Sequence, residues 1–216
     1  MGFFVRVGLC VCLIAVAAAA EPASKTYEQW VAMAEAGDPA TDFTALRKSY
    51  TASSKYDGYS SDYRDLRADI WKFAQAKDCK QLLALSQKAL KGDYTLIEVH
   101  IHRKICLRSM GDAAGTQQED FVISGLTRSL MGSGDGKSPQ TAYVVMTMAE
   151  ETMVDNFLEL DQRQQALINK DGHNYDLIEG TNRDTGKPMA VYFNVDAMFG
   201  SLTKMLGGAD GKDTGK

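Results

Sequence analysis

The apolar spacing of this chain changes period once, near Pro139, and that change decides its class of fold. Before it, apolar residues recur at helical intervals, as at Val122, Leu126 and Leu130. After it come "TAYVVMTM", "YDLIEG" and "MAVYFNV", all rich in β-branched and aromatic residues. The last two flank "TNRDTGKP", where Asp184, Gly186 and Pro188 supply turn chemistry, so they read as a hairpin. The hairpin belongs to an antiparallel sheet whose first strand lies near residues 142–149. Asp196 then reads as the cap of a closing helix carrying Met198, Phe199, Leu202 and Leu206. Helices first and strands second predict α+β rather than a doubly wound sheet.

The helical half carries a recurring punctuation. Gly-Asp occurs at Gly37-Asp38, Gly92-Asp93 and Gly111-Asp112. Glycine closes a helix in a left-handed cap, and aspartate accepts the N–H bonds that open the next. Tyr27, Trp30, Val31 and Ala34 line one predicted face, Phe43, Leu46 and Tyr50 a second, and Leu66, Ile70 and Phe73 a third. Leu82, Leu83 and Leu90, then Ile97, Ile101 and Ile105, fit two helices joined by a tight turn. With residues 113–130 they resemble a tetratricopeptide-type helical hairpin, although the period is too loose to establish a repeat array.

"MGSGDGKS", residues 131–138, has the look of a phosphate loop, which would read G-x-x-x-x-G-K-[ST]. The first glycine of that pattern falls on Met131, and Gly132 leaves the loop one residue short. A helical pattern precedes it where a buried strand is required, and Ser138-Pro139 follows where a helix should begin. The expectation is a glycine-rich turn formed by Ser133, Gly134, Asp135 and Gly136, with Lys137 in solvent.

The termini bear on location. Arg6, the apolar run from Val7 to Val16 and the small residues Ala17 to Ala20 form a secretory signal with expected cleavage after Ala20. The run is short for a membrane span, and Leu9 stands before Cys10 where a lipid-anchoring site wants a small residue. The expected product is a periplasmic or secreted protein, free of the membrane once the signal is removed. Without Arg6 it carries 23 basic and 28 acidic residues, a balance that argues against nucleic-acid binding. The expected organisation is a signal at 1–20, a helical region at 21–137, and a sheet with closing helix at 138–206. The last two pack as one unit, followed by a disordered tail at 207–216.

Cys79 and Cys106 lie symmetrically about Gly92-Asp93, so an antiparallel helical hairpin sets them opposite each other. An oxidising compartment would permit a disulfide there. The alternative is a pair of buried thiols, because facing helix backbones often stand too far apart to be bridged.

Chemistry-bearing residues are sparse. His100 and His102 are two apart in a helical pattern and point to different faces, and His173 falls in the loop "KDGHNYD". No Cys/His or acidic cluster has metal-ligand spacing, and nothing predicts a cofactor. Asp135, Glu150 and Glu151 are the candidate catalytic carboxylates. Adjacent strand residues point to opposite faces, so one glutamate of the pair is expected in solvent and the other paired.

"DFTALRKSYTASSKYDGY", the "KALKGDY" to "SMGDAA" pair, "SGDGKSPQTAYVV", Glu150-Glu151 and "VYFNVD" together resemble a family of domains of unknown function, number four-nine-one-nine. The resemblance spans about residues 42–206 and departs from the family pattern at Thr152, where a Tyr tends to stand. It implies an exported bacterial domain of helices plus sheet and brings no known activity. Two functions remain open. One is a non-catalytic binding or scaffold module for a protein or peptide partner. The other is a small periplasmic hydrolase using Asp135 with Glu150 or Glu151.

Overall fold

The computed structural model describes residues 24–200, and the signal, Leu202, Leu206 and the tail lie outside the described residues. Six helices come first: α1 (Tyr27–Glu35), α2 (Phe43–Tyr50), α3 (Ser61–Gln75), α4 (Cys79–Gly92), α5 (Ile97–Ser109) and α6 (Ala113–Met131). A 3-10 turn (Pro139–Thr141), β1 (Tyr143–Val144), α7 (Met148–Phe157), β2 (Leu160–Lys170), β3 (His173–Asn182) and β4 (Pro188–Asn194) follow. The architecture is α+β.

Local chemistry explains most of the helix starts. Thr26 and Gln29 form a reciprocal capping box on α1. Asp42, Asp78 and Asp112 accept first-turn N–H bonds of α2, α4 and α6. The Gly-Asp punctuation holds in full only at Gly111-Asp112, where the glycine is left-handed (φ 77°) and the aspartate caps α6. Gly37 is left-handed too, but α2 is opened by Asp42 and not by Asp38. Gly92 ends α4 as a helical residue, and the carboxylate of Asp93 turns onto Thr95 instead of α5.

The sheet order is β1-β4-β3-β2. The expected hairpin is β3–β4, antiparallel, with Ile178 opposite Val191. Two features differ from expectation. β1 is two residues long and runs parallel to β4, so the sheet is mixed. β2, polar and exposed along most of its length, pairs antiparallel with β3 through a tight turn at Asp171-Gly172. Both turn residues have positive φ (54° and 80°), as a two-residue hairpin loop requires. His173 is therefore the first residue of β3 and not a loop residue. Residues 196–200 are helical, as the closing helix requires, and Met198 is buried there. Asp196, expected as that helix's cap, turns back to accept from Asn174 N–H (2.7 Å) and pairs with His173 Nδ1 (2.6 Å).

One core joins the helices to the sheet. Leu46, Tyr50, Val122, Leu126 and Leu130 meet Val154, Ile178, Val191 and Phe193, and all are buried. Gly125 lets α2 and α6 approach this closely, because a Cβ there would lie 2.2 Å from the Phe43 ring. A smaller cluster of Tyr63, Ile70, Ala89, Leu96 and Val99 ties α3 to α4 and α5.

Candidate functional site

The glycine turn is a connector stitched to its surroundings. The N–H groups of Asp135 and Gly136 both donate to the Thr141 carbonyl (2.9 and 2.8 Å), and Gly136 accepts from Tyr192 N–H (2.8 Å). The donors that a phosphate would need are thereby spent. Ser133 Oγ donates to the Leu130 carbonyl and accepts from Val144 N–H. Gly134 passes so close to the next turn that a Cβ would stand 2.4 Å from the Ala142 oxygen. Asp135 bonds Lys137, whose side chain is 82% exposed. The Thr141 hydroxyl, then the N–H and ammonium of Lys137, hold the Asp135 carboxyl down to about 2.

Residues 142–149 do not form one strand, and this changes the reading of both glutamates. Thr147 caps α7 by accepting from Glu150 N–H, so Glu150 and Glu151 lie in the first turn of a helix. Both are buried, where a strand would have left one in solvent. A helix start puts successive residues about 100° apart instead of on opposite faces, so both can turn toward the protein.

Their environments diverge. Glu150 receives Arg47 through Nε (2.7 Å) and Nη2 (2.8 Å), and Met146 N–H bonds the same carboxylate (2.7 Å). Arg47 spends its other donors on Ser129 Oγ (3.0 Å) and the Val144 carbonyl (2.7 Å). The group links α2, α6, β1 and α7, and every guanidinium nitrogen has at least one acceptor. Among the described residues Glu151 Oε2 has no hydrogen-bond partner, and neither has Oδ1 of Asp155, one helical turn on. Burial, with Asp176 and Asp155 nearby, pushes the Glu151 carboxyl up to about 8. Burial raises Asp155 to about 7, against the pull of Arg183. No group of three His, Cys, Asp or Glu among the described residues could hold a metal ion. No hydrogen bond or ion pair joins Asp135 to either glutamate.

Cys79 and Cys106 are joined as a disulfide across the α4–α5 hairpin, with Cα atoms 5.3 Å apart. The pair staples the helices at the end away from their connecting turn.

Arg47 carries no chemical motif in the sequence, so its role escapes any reading by spacing. The same holds for a charged group under the helical layer. His100, 1% exposed, meets Glu119 Oε2 at Nδ1 (2.6 Å) and the Tyr94 carbonyl at Nε2 (3.0 Å). Arg103 Nε takes the other Glu119 oxygen (2.6 Å). Burial opposes the Glu119 charge, but His100 and Arg103 outweigh it and hold the carboxyl below its ordinary value. This group forms the floor of a groove of about 640 Å³ between α1, α4, α5 and α6. Val31, Leu83, Leu90 and Leu107 supply its apolar lining, Glu28 and Glu35 acidic groups, and Lys55 and Lys91 basic ones.

A family model described as "Domain of unknown function (DUF4919)" matches residues 27–204. The chain belongs to this family. No curated protein and no solved structure matches it.

Proposed function

We propose that this chain is an exported, non-catalytic binding module that holds a peptide or protein segment in the groove between α1, α4, α5 and α6. The groove carries the reading. Its volume, about 640 Å³, is that of a ligand cleft, and acidic and basic groups on its rim flank an apolar lining. An extended or helical segment with apolar side chains and charges of both signs complements such a surface. Export is supported by the leader pattern ending at Ala20 and by the Cys79–Cys106 disulfide, a bond favoured in oxidising compartments. No helix among the described residues is long and apolar enough to cross a membrane. The carboxylates give the hydrolytic alternative little support, because Glu150 is committed to Arg47 and Asp135 to Lys137, and no hydrogen bond or ion pair joins the uncommitted Glu151 to Asp135.

Panning a displayed peptide library against the protein tests the reading. Selected peptides should lose at least ~10-fold in affinity for a Glu35→Lys/Lys91→Glu variant, since both residues are exposed and lie on the rim. Peptides that bind wild type and variant equally would place recognition elsewhere and remove the groove's role.

A further inference from the structure

We propose that the pocket walled by the first turns of α3, α5 and α7 is a binding site for a small monocarboxylate with a short apolar body. It is separate from the groove and does not depend on the groove's function. The cavity measures about 170 Å³.

Three observations converge on it. The first is the start of α5. Its cap is Leu96, which has no side-chain acceptor; Val99 N–H turns back to the Leu96 carbonyl (3.1 Å), and the N–H groups of Ile97 and Glu98 in this 13-residue helix lack a side-chain cap. The neighbouring helix starts are already served, α3 by the Asp57 carboxylate and α7 by Thr147. A helix start without a cap favours an anion through its open donors and its dipole.

The second is Ser60. It lines the pocket, is 8% exposed, and its Oγ has no hydrogen-bond partner among the described residues. A buried hydroxyl left unmatched costs free energy, and an incoming oxygen would supply the acceptor it lacks. Ser60 also sits in the left-handed region (φ 51°) and makes no cap bond to its own helix.

The third is the charge of the walls. Glu98 is held by Arg67 (2.8 and 2.9 Å), by the Tyr63 hydroxyl and by Trp71 Nε1 (2.9 Å). Burial opposes the Glu98 charge, but these donors together keep its carboxyl below the ordinary value. Glu150 is neutralised by Arg47. The remaining wall charge is Arg64, exposed, one turn beyond Ser60, and without an ion pair among the described residues. Leu96, Ile97, Met148 and Met153 supply the apolar surface for a short hydrocarbon body. Such a carboxylate could be a free acid or the C-terminal residue of a peptide.

Amide NMR titration of the protein distinguishes these. The probes are sodium isobutyrate, inorganic phosphate, and a short peptide ending in leucine as free acid or as amide. Isobutyrate should shift the Ser60, Ile97 and Glu98 amides saturably. Arg64→Gln and Ser60→Gly should each weaken it by ~5-fold or more, the loss of about one charge-assisted or buried hydrogen bond. Glycine accepts the φ of 51°, so the Ser60 variant removes the hydroxyl without backbone strain. Tighter binding of the peptide acid than of isobutyrate, with none of the amide, identifies a chain terminus as the source. The reverse order identifies a free acid, and both results support the site. The proposal fails if isobutyrate leaves those amides unmoved, if both variants bind like wild type, or if phosphate binds and isobutyrate does not.

Discussion

Arg47 and Glu150, 103 residues apart in sequence, form a doubly hydrogen-bonded ion pair whose side chains are each 2% exposed. Each guanidinium nitrogen of Arg47 has an acceptor, which is the condition under which a buried charge is tolerated.

Removing one partner strands the other. Arg47→Met should destabilise the fold by about 3–5 kcal/mol in urea denaturation, and Arg47→Met/Glu150→Met should cost less than the two single changes summed. Strict additivity would mean that the two side chains do not act as a unit.

Glu151 and Asp155 make stability fall as pH rises. Their folded-state values, about 8 and about 7, exceed those of an unfolded chain, so the folded state holds its protons longer. Below about pH 4 both states are protonated and the contribution is intact. It declines as the unfolded carboxyls ionise and levels off above about pH 8. Asp93, raised by burial to about 7, acts in the same direction. Glu98 and Glu119, with depressed values, contribute the opposite slope only in acid, whereas His102, lowered by burial, opposes the raised groups near its own titration, so comparison with a Glu151 variant separates the two. Urea midpoints should drop across about pH 7–8, and Glu151→Gln should raise the unfolding free energy at pH 8 by on the order of several kcal/mol. An unchanged profile in that variant would remove Glu151 from the account.

Reduction should lower the melting temperature by about 6–16 °C, because a bridge spanning 27 positions constrains the unfolded chain by roughly 3–4 kcal/mol. Cys79→Ser/Cys106→Ser should melt like the reduced protein. Equal melting of oxidised and reduced samples would show that the bridge adds no stability.

In the glycine turn, shape matters and charge does not. Gly134→Ala should cost about 1–3 kcal/mol, since its Cβ would meet backbone oxygens of Thr141 and Ala142 at 2.5 and 2.4 Å. Lys137→Ala should stay within ~0.5 kcal/mol and confer or abolish no nucleotide binding. Calorimetry of both variants, with and without ATP, checks the pair of expectations.

These residues also show where sequence reading works. The β3–β4 hairpin was legible because alternation and turn chemistry are local, and the α4–α5 hairpin because its midpoint is a turn. α7 was masked by β-branched "TAYVV", yet Thr147 and Glu150 stand at capping-box spacing, a signal that outranks propensity here. β2 has no such signal. Gln162, Gln164 and Gln165 become strand residues through backbone pairing with β3, a partner that their own side chains do not specify. The buried ion pair was equally hidden, because no local pattern couples Arg47 to a residue 103 positions away.

β2 also determines how crowded copies of this molecule behave toward each other. It is the outer strand of the sheet, and the run from Gln164 to Asn169 is uncharged, with Leu167 55% exposed. Such a segment is a template on which a neighbouring chain can add a strand. The protection comes from its surroundings. A register irregularity between Gln162 and Gln164 interrupts the ladder, and Arg163 and Lys170 bracket the uncharged run as gatekeepers. Resistance of this edge to strand addition therefore rests on charges at its two ends, the Asp161–Arg163 pair and Lys170, and on one backbone irregularity, far from the core that keeps the chain folded.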